Sequence, residues 1–284
     1  MSTGIFFHYQ QGERLKDFPQ ALQGILEKEE VFFYDALYPS KPESLFDLPP
    51  IPTEAIGRVH SPEMVERVKR AGVYEGALYS AAGTYSAALK VWSGEITNAF
   101  VFTGYGDHHA GSHFFGGGCY LNGAAIAIRE LKARNLAERF AVIDTDAHHG
   151  DGSWELFEKD ANVLYLCFCS GPNEERNNNV NIYVPYTITD DKYLILVREA
   201  LQDYVRAFRP EMVFWNWGYD GTVGEYGDMG LSPTCHLHLA RMITKTACEL
   251  CQGRVIVVLC GGSKRDLAFL LIPRVIRILT REED

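Results

Sequence analysis

The segment DTDAHHGDG, residues 144–152, concentrates side chains that can bind a metal ion. Asp144, Asp146 and His148 alternate along it, so in an extended conformation their side chains point to the same side. Aspartate oxygen and histidine nitrogen suit Zn²⁺ or a similar divalent ion, and a catalytic zinc site takes three protein ligands and keeps one position open. Asp146 and His148 are therefore two candidate ligands, and a third must come from another loop.

Asp220, in the segment NWGYDG, is the candidate for that third ligand. It is the carboxylate at the end of the apolar run MVFWNW, which is typical of a buried strand. An aspartate in this position is commonly a turn or helix-cap residue. If both strands belong to one parallel sheet, however, Asp220 lies at the same edge as Asp146, which favours the ligand interpretation.

His108 and His109, in the segment GDHHAG, are candidates for proton transfer. Taken alone, two adjacent histidines can be ordinary loop residues. Beside a metal, an imidazole is the natural base for bound water and the natural acid for a leaving amine. Asp144 and Asp151 remain as carboxylates that can orient these two imidazoles through their other ring nitrogen.

Short apolar runs alternate with longer helical patterns along the chain. The runs are GIFFHY, AFVFTG, FAVIDT, VLYLCFC, MVFWNW and RVIVVLC, which suit strands buried on both faces of a parallel sheet. The alternation predicts a single α/β domain over residues 1–284, with an open, mostly parallel sheet and helices on both faces. GDHHAG, DTDAHHGDG, GYDG and GGSKRD each follow one of these strands, which predicts an active site at the carboxyl ends of the strands.

The composition narrows the class of partner and the location. A net charge of −10 argues against nucleic-acid binding, which depends on lysine and arginine to neutralise phosphates. No apolar run approaches the roughly 20 residues of a membrane-spanning helix. The first residues also lack the basic start and long apolar stretch of a secretion signal. We therefore expect a cytoplasmic protein without nucleic-acid or membrane partners.

The seven cysteines are scattered through the chain, which indicates reduced and mostly buried thiols. Cys235, His238, Cys248 and Cys251 superficially resemble a zinc finger. They lie, however, in a segment with the pattern of one continuous helix. At 1.5 Å per residue His238 and Cys248 are about 15 Å apart along its axis, too far for one tetrahedral metal.

DTDAHHGDG resembles the D-x-D-x-H-H-G-D-G signature of the histone deacetylase and acetylpolyamine amidohydrolase family. GDHHAG, FFGGGCYLNGAAIAI, RVHSPEMVERV and GYDGTVGEYGDMGLS also resemble family segments, and they occur in the family's order over nearly the whole chain. The resemblance implies an arginase-like α/β fold with a parallel sheet, which agrees with the pattern of apolar runs.

The resemblance also implies a role for each candidate residue. His109 is implied to be the general base and acid, oriented by Asp151. His108 is implied to adjust the charge beside His109, and it is oriented by Asp144. His149 becomes a buried hydrogen-bonding residue. The implied zinc ligands are Asp146, His148 and Asp220, and the implied residues of the substrate channel are Gly117, Gly118, Tyr219 and Ser263. The family also binds a structural K⁺ through the Asp144 loop and the next strand, where Cys167 replaces the usual serine.

Two further positions depart from the family pattern. Gly261-Gly262-Ser263 stands where the family reads G-G-Y, and that tyrosine donates a hydrogen bond to the developing oxyanion. Losing such a donor typically costs about 10² to 10³ in rate. Tyr226, Lys264 and Tyr105 are the candidates to replace it from neighbouring loops. Asp107 replaces a usual glycine, and we expect it to narrow the channel or to add negative charge.

These features predict a zinc-dependent deacylase that hydrolyses an acyl-lysine or an acylpolyamine. One alternative is a metal-containing protein that binds acyl-amines without turnover, because the tyrosine is missing. Another is a hydrolase of the same fold that acts on a different bond, such as an activated ester or a guanidino group. Arginase-like chemistry requires a second metal, and the sequence offers no second complete ligand set. We therefore expect one divalent metal per chain.

Overall fold

In the computed structural model of the protein, which describes residues 1–8, 15, 17–35 and 51–281, one sheet of nine strands forms the centre of the fold. The strands are β1 (Thr3–Phe7), β2 (Val31–Asp35), β3 (Asn98–Phe102), β4 (Phe140–Asp144), β5 (Val163–Cys169), β6 (Glu174–Arg176), β7 (Asn179–Tyr183), β8 (Met212–Trp217) and β9 (Val255–Leu259). Their order is β2-β1-β3-β9-β8-β4-β5-β7-β6. All neighbouring strands are parallel except β6 and β7, so the predicted open, mostly parallel sheet is confirmed.

Helices cover both faces of this sheet. They are α1 (Phe18–Ala21), α2 (Gln23–Leu26), α3 (Thr53–Gly57), α4 (Pro62–Arg70), α5 (Tyr74–Ser93), α6 (Gly123–Ala133), α7 (Asp151–Phe157), α8 (Asp190–Ala200), α9 (Arg206–Phe208), α10 (Pro233–Cys251) and α11 (Arg265–Thr280), and a π-helical turn, Leu201–Val205, joins α8 to α9. Helix α10 is continuous, so the four residues of the apparent zinc finger do lie along one helix. Within the described residues, no helix has both the length and the apolar content that crossing a bilayer requires.

Alternate side chains of the strands belong to two separate cores. On β3, Phe100 and Phe102 pack into the core beneath α10 and α11, whereas Val101 packs into the core beneath α5 and α6. This is why β1, β3, β4, β5, β8 and β9 read as nearly unbroken apolar runs: their side chains are buried on one face or the other. Apolar patterning does not predict β6 and β7, because EER and NVNIY carry mostly polar residues at the edge of the sheet.

The register of the strands brings the polar loops to one edge. Asp144 at the end of β4 pairs with Asn216 of β8 on one side and with Cys167 of β5 on the other. On the far side of β8, Trp217 pairs with Leu259 of β9. The loops that follow β3, β4, β8 and β9 therefore begin side by side at the carboxyl ends of the strands.

Candidate active site

A cavity of about 290 Å³ opens at this edge of the sheet. Residues from the loops that follow β3, β4, β8 and β9 line it, together with the glycine-rich segment before α6. The lining residues are Thr103, Gly104, Gly106, His108, His109, Gly117, Gly118, Cys119, Asp146, His148, Tyr226, Cys260, Gly261 and Gly262. Most of the residues that the sequence predicts for the site are among them.

Asp146, His148 and Asp220 come together beside the cavity, although Asp220 is distant in sequence. His148 Nδ1 lies 3.1 Å from Asp146 Oδ1 and 2.8 Å from Asp220 Oδ2. One ligand-type atom from each of the three residues lies within 4.8 Å of the others. Both carboxylates are buried, whereas the His148 side chain is 42% exposed.

Backbone N–H groups hold the two carboxylates in place. Gly261 donates to Asp146 Oδ2 at 2.7 Å, and Ala147 donates to Asp220 Oδ1 at 3.2 Å. Gly218 allows the two carboxylates to approach the end of β8. A Cβ atom at that position would lie 2.4 Å from an oxygen of each carboxylate.

The buried charges of Asp146 and Asp220 favour a cation beside His148. Burial, followed by the charge of Asp146, raises the pKa of Asp220, and hydrogen bonding to Asp146 together with Asp220 raises the pKa of His148 to about 10. His148 Nδ1 thus faces one oxygen of each buried carboxylate, at 3.1 Å from Asp146 Oδ1 and 2.8 Å from Asp220 Oδ2. Two buried carboxylates that converge on one imidazole nitrogen fit a divalent metal that has oxygen and nitrogen ligands.

Each histidine of the GDHHAG loop has a carboxylate behind it. His108 Nδ1 lies 3.0 Å from Asp144 Oδ2, and His109 Nδ1 lies 2.6 Å from Asp151 Oδ1. His108 is buried, which lowers its pKa, but the charges of Asp144 and Asp146 outweigh burial and raise that pKa to about 10. His109 is partly exposed to the cavity.

Gly117 of the glycine-rich segment packs directly on His109. Its φ of +56° is a left-handed conformation, and a Cβ atom there would lie 2.4 Å from the imidazole ring. A glycine is therefore required at this position both for its backbone conformation and for its contact with His109. Gly118 follows it along the cavity wall with a φ of +80°.

The sequence does not reveal Tyr165, which supports Asp144 from strand β5. Its hydroxyl donates to Asp144 Oδ2 at 2.7 Å, the same oxygen that faces His108. Within VLYLCFC this tyrosine is one aromatic among other buried residues, so only the pairing of β5 with β4 identifies its partner.

Two residues expected at the channel are elsewhere. Tyr219 is fully buried, packs against Trp217 and lies beneath Gly262, so its prediction as a channel residue is wrong. Asp107 is 1% exposed and accepts hydrogen bonds from the N–H groups of Gly123 and Ala124. It therefore anchors the histidine loop to the start of α6, and it does not narrow the channel.

Ser263 is not among the residues that line the cavity. Its hydroxyl donates to Glu225 Oε2 at 2.7 Å, and its N–H donates to Glu225 Oε1 at 2.9 Å. Its prediction as a channel residue is therefore wrong, because both its hydroxyl and its N–H are bonded to the buried carboxylate of Glu225. No sequence pattern singles out Glu225 for this role.

Tyr226 is the one of the three candidate replacement donors that lines the cavity; Lys264 and Tyr105 do not. The Gly262 N–H donates to the Tyr226 hydroxyl at 3.0 Å. The Tyr226 ring stacks on the His148 imidazole, with ring centroids 5.5 Å apart and planes inclined by 26°. A phenol thus lies against both the candidate metal ligand and the loop that lacks the family tyrosine.

A second group of ligand-type side chains lies at the same end of the sheet. His149, Cys167 and Cys169 offer ligand-type atoms within 4.8 Å of one another. The sequence does not reveal this group, which contains no aspartate and differs from the His and Asp set that arginase-like chemistry requires. The three residues come from two elements that the parallel pairing of β4 and β5 brings together, so their spacing in the sequence carries no signal.

Comparisons with known proteins place these features in context. A family model described as the histone deacetylase domain matches residues 8–269. A probable deacetylase of Archaeoglobus fulgidus is 27% identical over 293 residues, which cover 92% of this chain and 81% of that protein. Human histone deacetylase 7 is 28% identical over 227 residues, covering 70% of this chain but only 24% of the human protein. The crystal structure of the HDA15 HD domain has a TM-score of 0.85 at 20% identity and covers 99% of this chain and 90% of that one, which shows the shared fold.

Proposed function

Because this chain belongs to the histone deacetylase family, we propose that it is a zinc-dependent deacylase that hydrolyses the amide bond of an acylated amine. One observation carries the proposal: Asp146 and His148, which lie close to Asp220, and His109, which is paired with Asp151, line a single cavity. A metal-ligand set beside an oriented imidazole is the arrangement that amide hydrolysis requires.

Asp146, His148 and Asp220 would hold the metal. When bound there, a divalent cation polarises the acyl carbonyl and lowers the pKa of the attacking water. The N–H groups of Gly261 and Ala147 keep the two carboxylates in place for this role. The chain contributes three ligands, which leaves room for the substrate.

His109 would carry the proton. Its Nδ1 is held by Asp151, so Nε2 is the nitrogen that takes a proton from the attacking water and returns it to the leaving amine. His108, which is buried between Asp144 and Asp146, would adjust the charge beside His109. The contact between Gly117 and the His109 ring limits the movement of that ring during transfer.

Tyr226 would supply the oxyanion donor that Ser263 does not. Its ring lies along the cavity beside His148, and its oxygen accepts the Gly262 N–H. A phenol that accepts one hydrogen bond donates its own hydrogen in another direction. Donation toward the carbonyl oxygen of a substrate in the cavity would stabilise the negative charge that develops there.

The substrate class is proposed from the amide-hydrolysing arrangement of the site and from the net charge of the chain. We expect a small-molecule or peptide acyl-amine, either acyl-lysine or acylpolyamine, and no nucleic acid. The net charge of −10 is compatible with a cationic amine. We also propose that residues 1–284 form a single domain. The structural K⁺ that the family resemblance implies would lie near Asp144.

Turnover of a substrate panel by zinc-loaded protein tests the proposal. The panel contains acetyl-lysine, acetylpolyamine and trifluoroacetyl-lysine substrates, because the trifluoroacetyl carbonyl is already electron-poor. Hydrolysis of acetylated substrates that stops on chelation and returns with zinc is the expected result. Binding without turnover of any substrate would support the alternative of a non-catalytic binding protein. Turnover only of esters or guanidino compounds would support the alternative of a hydrolase that acts on a different bond.

A further inference from the structure

We propose that His149, Cys167 and Cys169 form a second metal site, selective for a thiophilic cation such as Zn²⁺. The site differs from the group that faces the cavity, since it uses sulphur and the next imidazole of the chain. Cys167 and Cys169 lie on one side of β5, because residues two apart on a strand point in the same direction. His149 reaches them from the loop after β4.

The distances between the donor atoms match those around a tetrahedral zinc ion. His149 Nδ1 lies 3.6 Å from Cys167 Sγ and 3.5 Å from Cys169 Sγ. With Zn–S near 2.3 Å and Zn–N near 2.0–2.1 Å, tetrahedral geometry places nitrogen and sulphur ligands about 3.6 Å apart. The two sulphur atoms also lie within 4.8 Å of each other, so one ion placed between them can approach all three ligand atoms.

Asn181 offers a fourth ligand from strand β7. Its Oδ1 lies 3.0 Å from Cys169 Sγ, and its Nδ2 donates to Pro172 O at 2.6 Å. The second bond orients the amide so that its oxygen, not its nitrogen, faces the thiol. Two sulphurs and one nitrogen are usual ligands of zinc, and the amide oxygen of Asn181 is the candidate for the fourth position.

Burial and charge favour a divalent ion here. Cys167 is fully buried, and Cys169 and Asn181 are almost fully buried. Two thiolates and one Zn²⁺ carry no net charge, so the occupied site avoids the cost of an isolated buried ion. Sulphur ligands favour zinc and other soft cations over K⁺, which prefers oxygen.

An ion at this position would connect three parts of the fold. His149 directly follows His148, Cys167 pairs in register with Asp144 of β4, and Asn181 pairs with Cys167 from β7. Occupancy would therefore fix the loop that carries His148 to the end of the sheet. The second ion has a positioning role in this inference, and it does not contact the substrate cavity.

Zinc content and cobalt spectroscopy test the site on the full chain. Zinc-loaded protein is expected to hold two equivalents, and the double variant Cys167→Ser/Cys169→Ser is expected to hold one. Asp146→Ala/Asp220→Ala is also expected to hold one equivalent, and its Co²⁺ form should show near-ultraviolet sulphur-to-cobalt charge transfer. Cys260→Ser is the matched control, because it removes a buried thiol that lines the substrate cavity. It should change neither the zinc content nor the charge-transfer band.

The outcomes separate this inference from the proposed function. Cobalt-loaded wild-type protein without charge transfer would overturn the second site, and this readout does not depend on whether a cysteine variant folds. A zinc content unchanged in Cys167→Ser/Cys169→Ser would overturn it as well. A zinc content that falls in the cysteine variant but not in Asp146→Ala/Asp220→Ala would instead uphold the second site and contradict the ligands of the proposed function.

Discussion

The hydroxyl of Ser263 donates to Glu225 Oε2 at 2.7 Å, and the residue that follows Glu225 turns its ring into the cavity. The two neighbours thus have different partners: Glu225 binds Ser263, which does not line the cavity, and Tyr226 lines the cavity and stacks on His148. Because Glu225 also accepts the N–H groups of Ser263 and Lys264, it fixes the path of this loop.

Tyr226→Phe should lower kcat/KM on an acetylated substrate by about 10² to 10³, the usual effect of removing one oxyanion donor. The loss on the trifluoroacetyl substrate should be smaller, because its carbonyl depends less on that donor. Steady-state kinetics on both substrates measure the difference, with zinc content as a check that the site is intact. Equal losses on the two substrates would argue against a role at the oxyanion.

Ser263→Ala is the matched control for that experiment. Its hydroxyl contacts Glu225 and does not line the cavity, so the variant should keep kcat/KM within a few-fold of the wild-type value. Ser263→Tyr should raise kcat/KM little while Tyr226 is present. If Ser263→Tyr instead raised it by about 10², the oxyanion would lack a donor in the natural protein, and Tyr226 would not fill that role.

His109→Ala should remove most hydrolytic activity while the metal stays bound, since a general base takes part in proton transfer and not in ligation. The imidazole faces the cavity and contacts Asp151, and the three candidate ligands do not depend on it. His108→Ala should be milder for turnover, because His108 is proposed to act through charge. Loss of metal from His109→Ala would place this histidine among the ligands.

The sequence predicts those parts of the site that are local or that follow a buried strand. Asp146 and His148 are two residues apart in the loop after β4, and Asp220 lies in the loop after β8. Because both loops begin at the carboxyl ends of neighbouring strands, the fold brings the three side chains together. The contact between Gly262 and Tyr226 joins two loops whose paths depend on packing, which no periodicity encodes.

The sequence does not reveal the group of His149, Cys167 and Cys169 for a related reason. His149 reaches Cys167 and Cys169 only because β4 and β5 are adjacent and in register, whereas the cysteine and histidine spacing in α10 attracts attention but lies along one helix. A search for short spacings finds ligands within one loop, but it does not find ligands that come from neighbouring strands.

Asp146→Ala and Asp220→Ala should each lose one equivalent of zinc, because each removes a buried carboxylate from the three-residue group. Elemental analysis of purified, zinc-loaded protein measures the loss. Asp228→Ala is the control: Asp228 is an exposed aspartate of the same loop that accepts the N–H groups of Gly224 and Gly230. Zinc content equal to wild type in both ligand variants would contradict the ligand assignment.

Acid should weaken the fold partly through His60, a buried histidine at the start of α4. Its Nδ1 lies 2.8 Å from Gly111 O, and Asn122 N–H donates to its Nε2 at 3.0 Å, so the neutral ring donates at one nitrogen and accepts at the other. Burial lowers its pKa to about 4, against a smaller opposing effect of the Gly111 carbonyl and the Glu155 charge. Protonation would turn Nε2 toward another N–H and break the second bond.

The direction in which the free energy of unfolding changes with pH follows from the pKa of His60 in the unfolded and folded chains. Between pH 6.5 and about 4 the unfolded chain binds a proton at His60 that the folded chain does not, so the free energy of unfolding decreases as pH falls through this range. The contribution is complete above pH 6.5, and its total is on the order of 3 kcal/mol. Burial lowers the pKa values of His8 and His236 in a similar way, so these residues also weaken the fold in acid. A variant of His60 is therefore needed to isolate its contribution. Denaturant unfolding of wild type and His60→Asn from pH 7.5 to 4 should give a shallower decrease in the variant, and parallel decreases would show that His60 does not contribute.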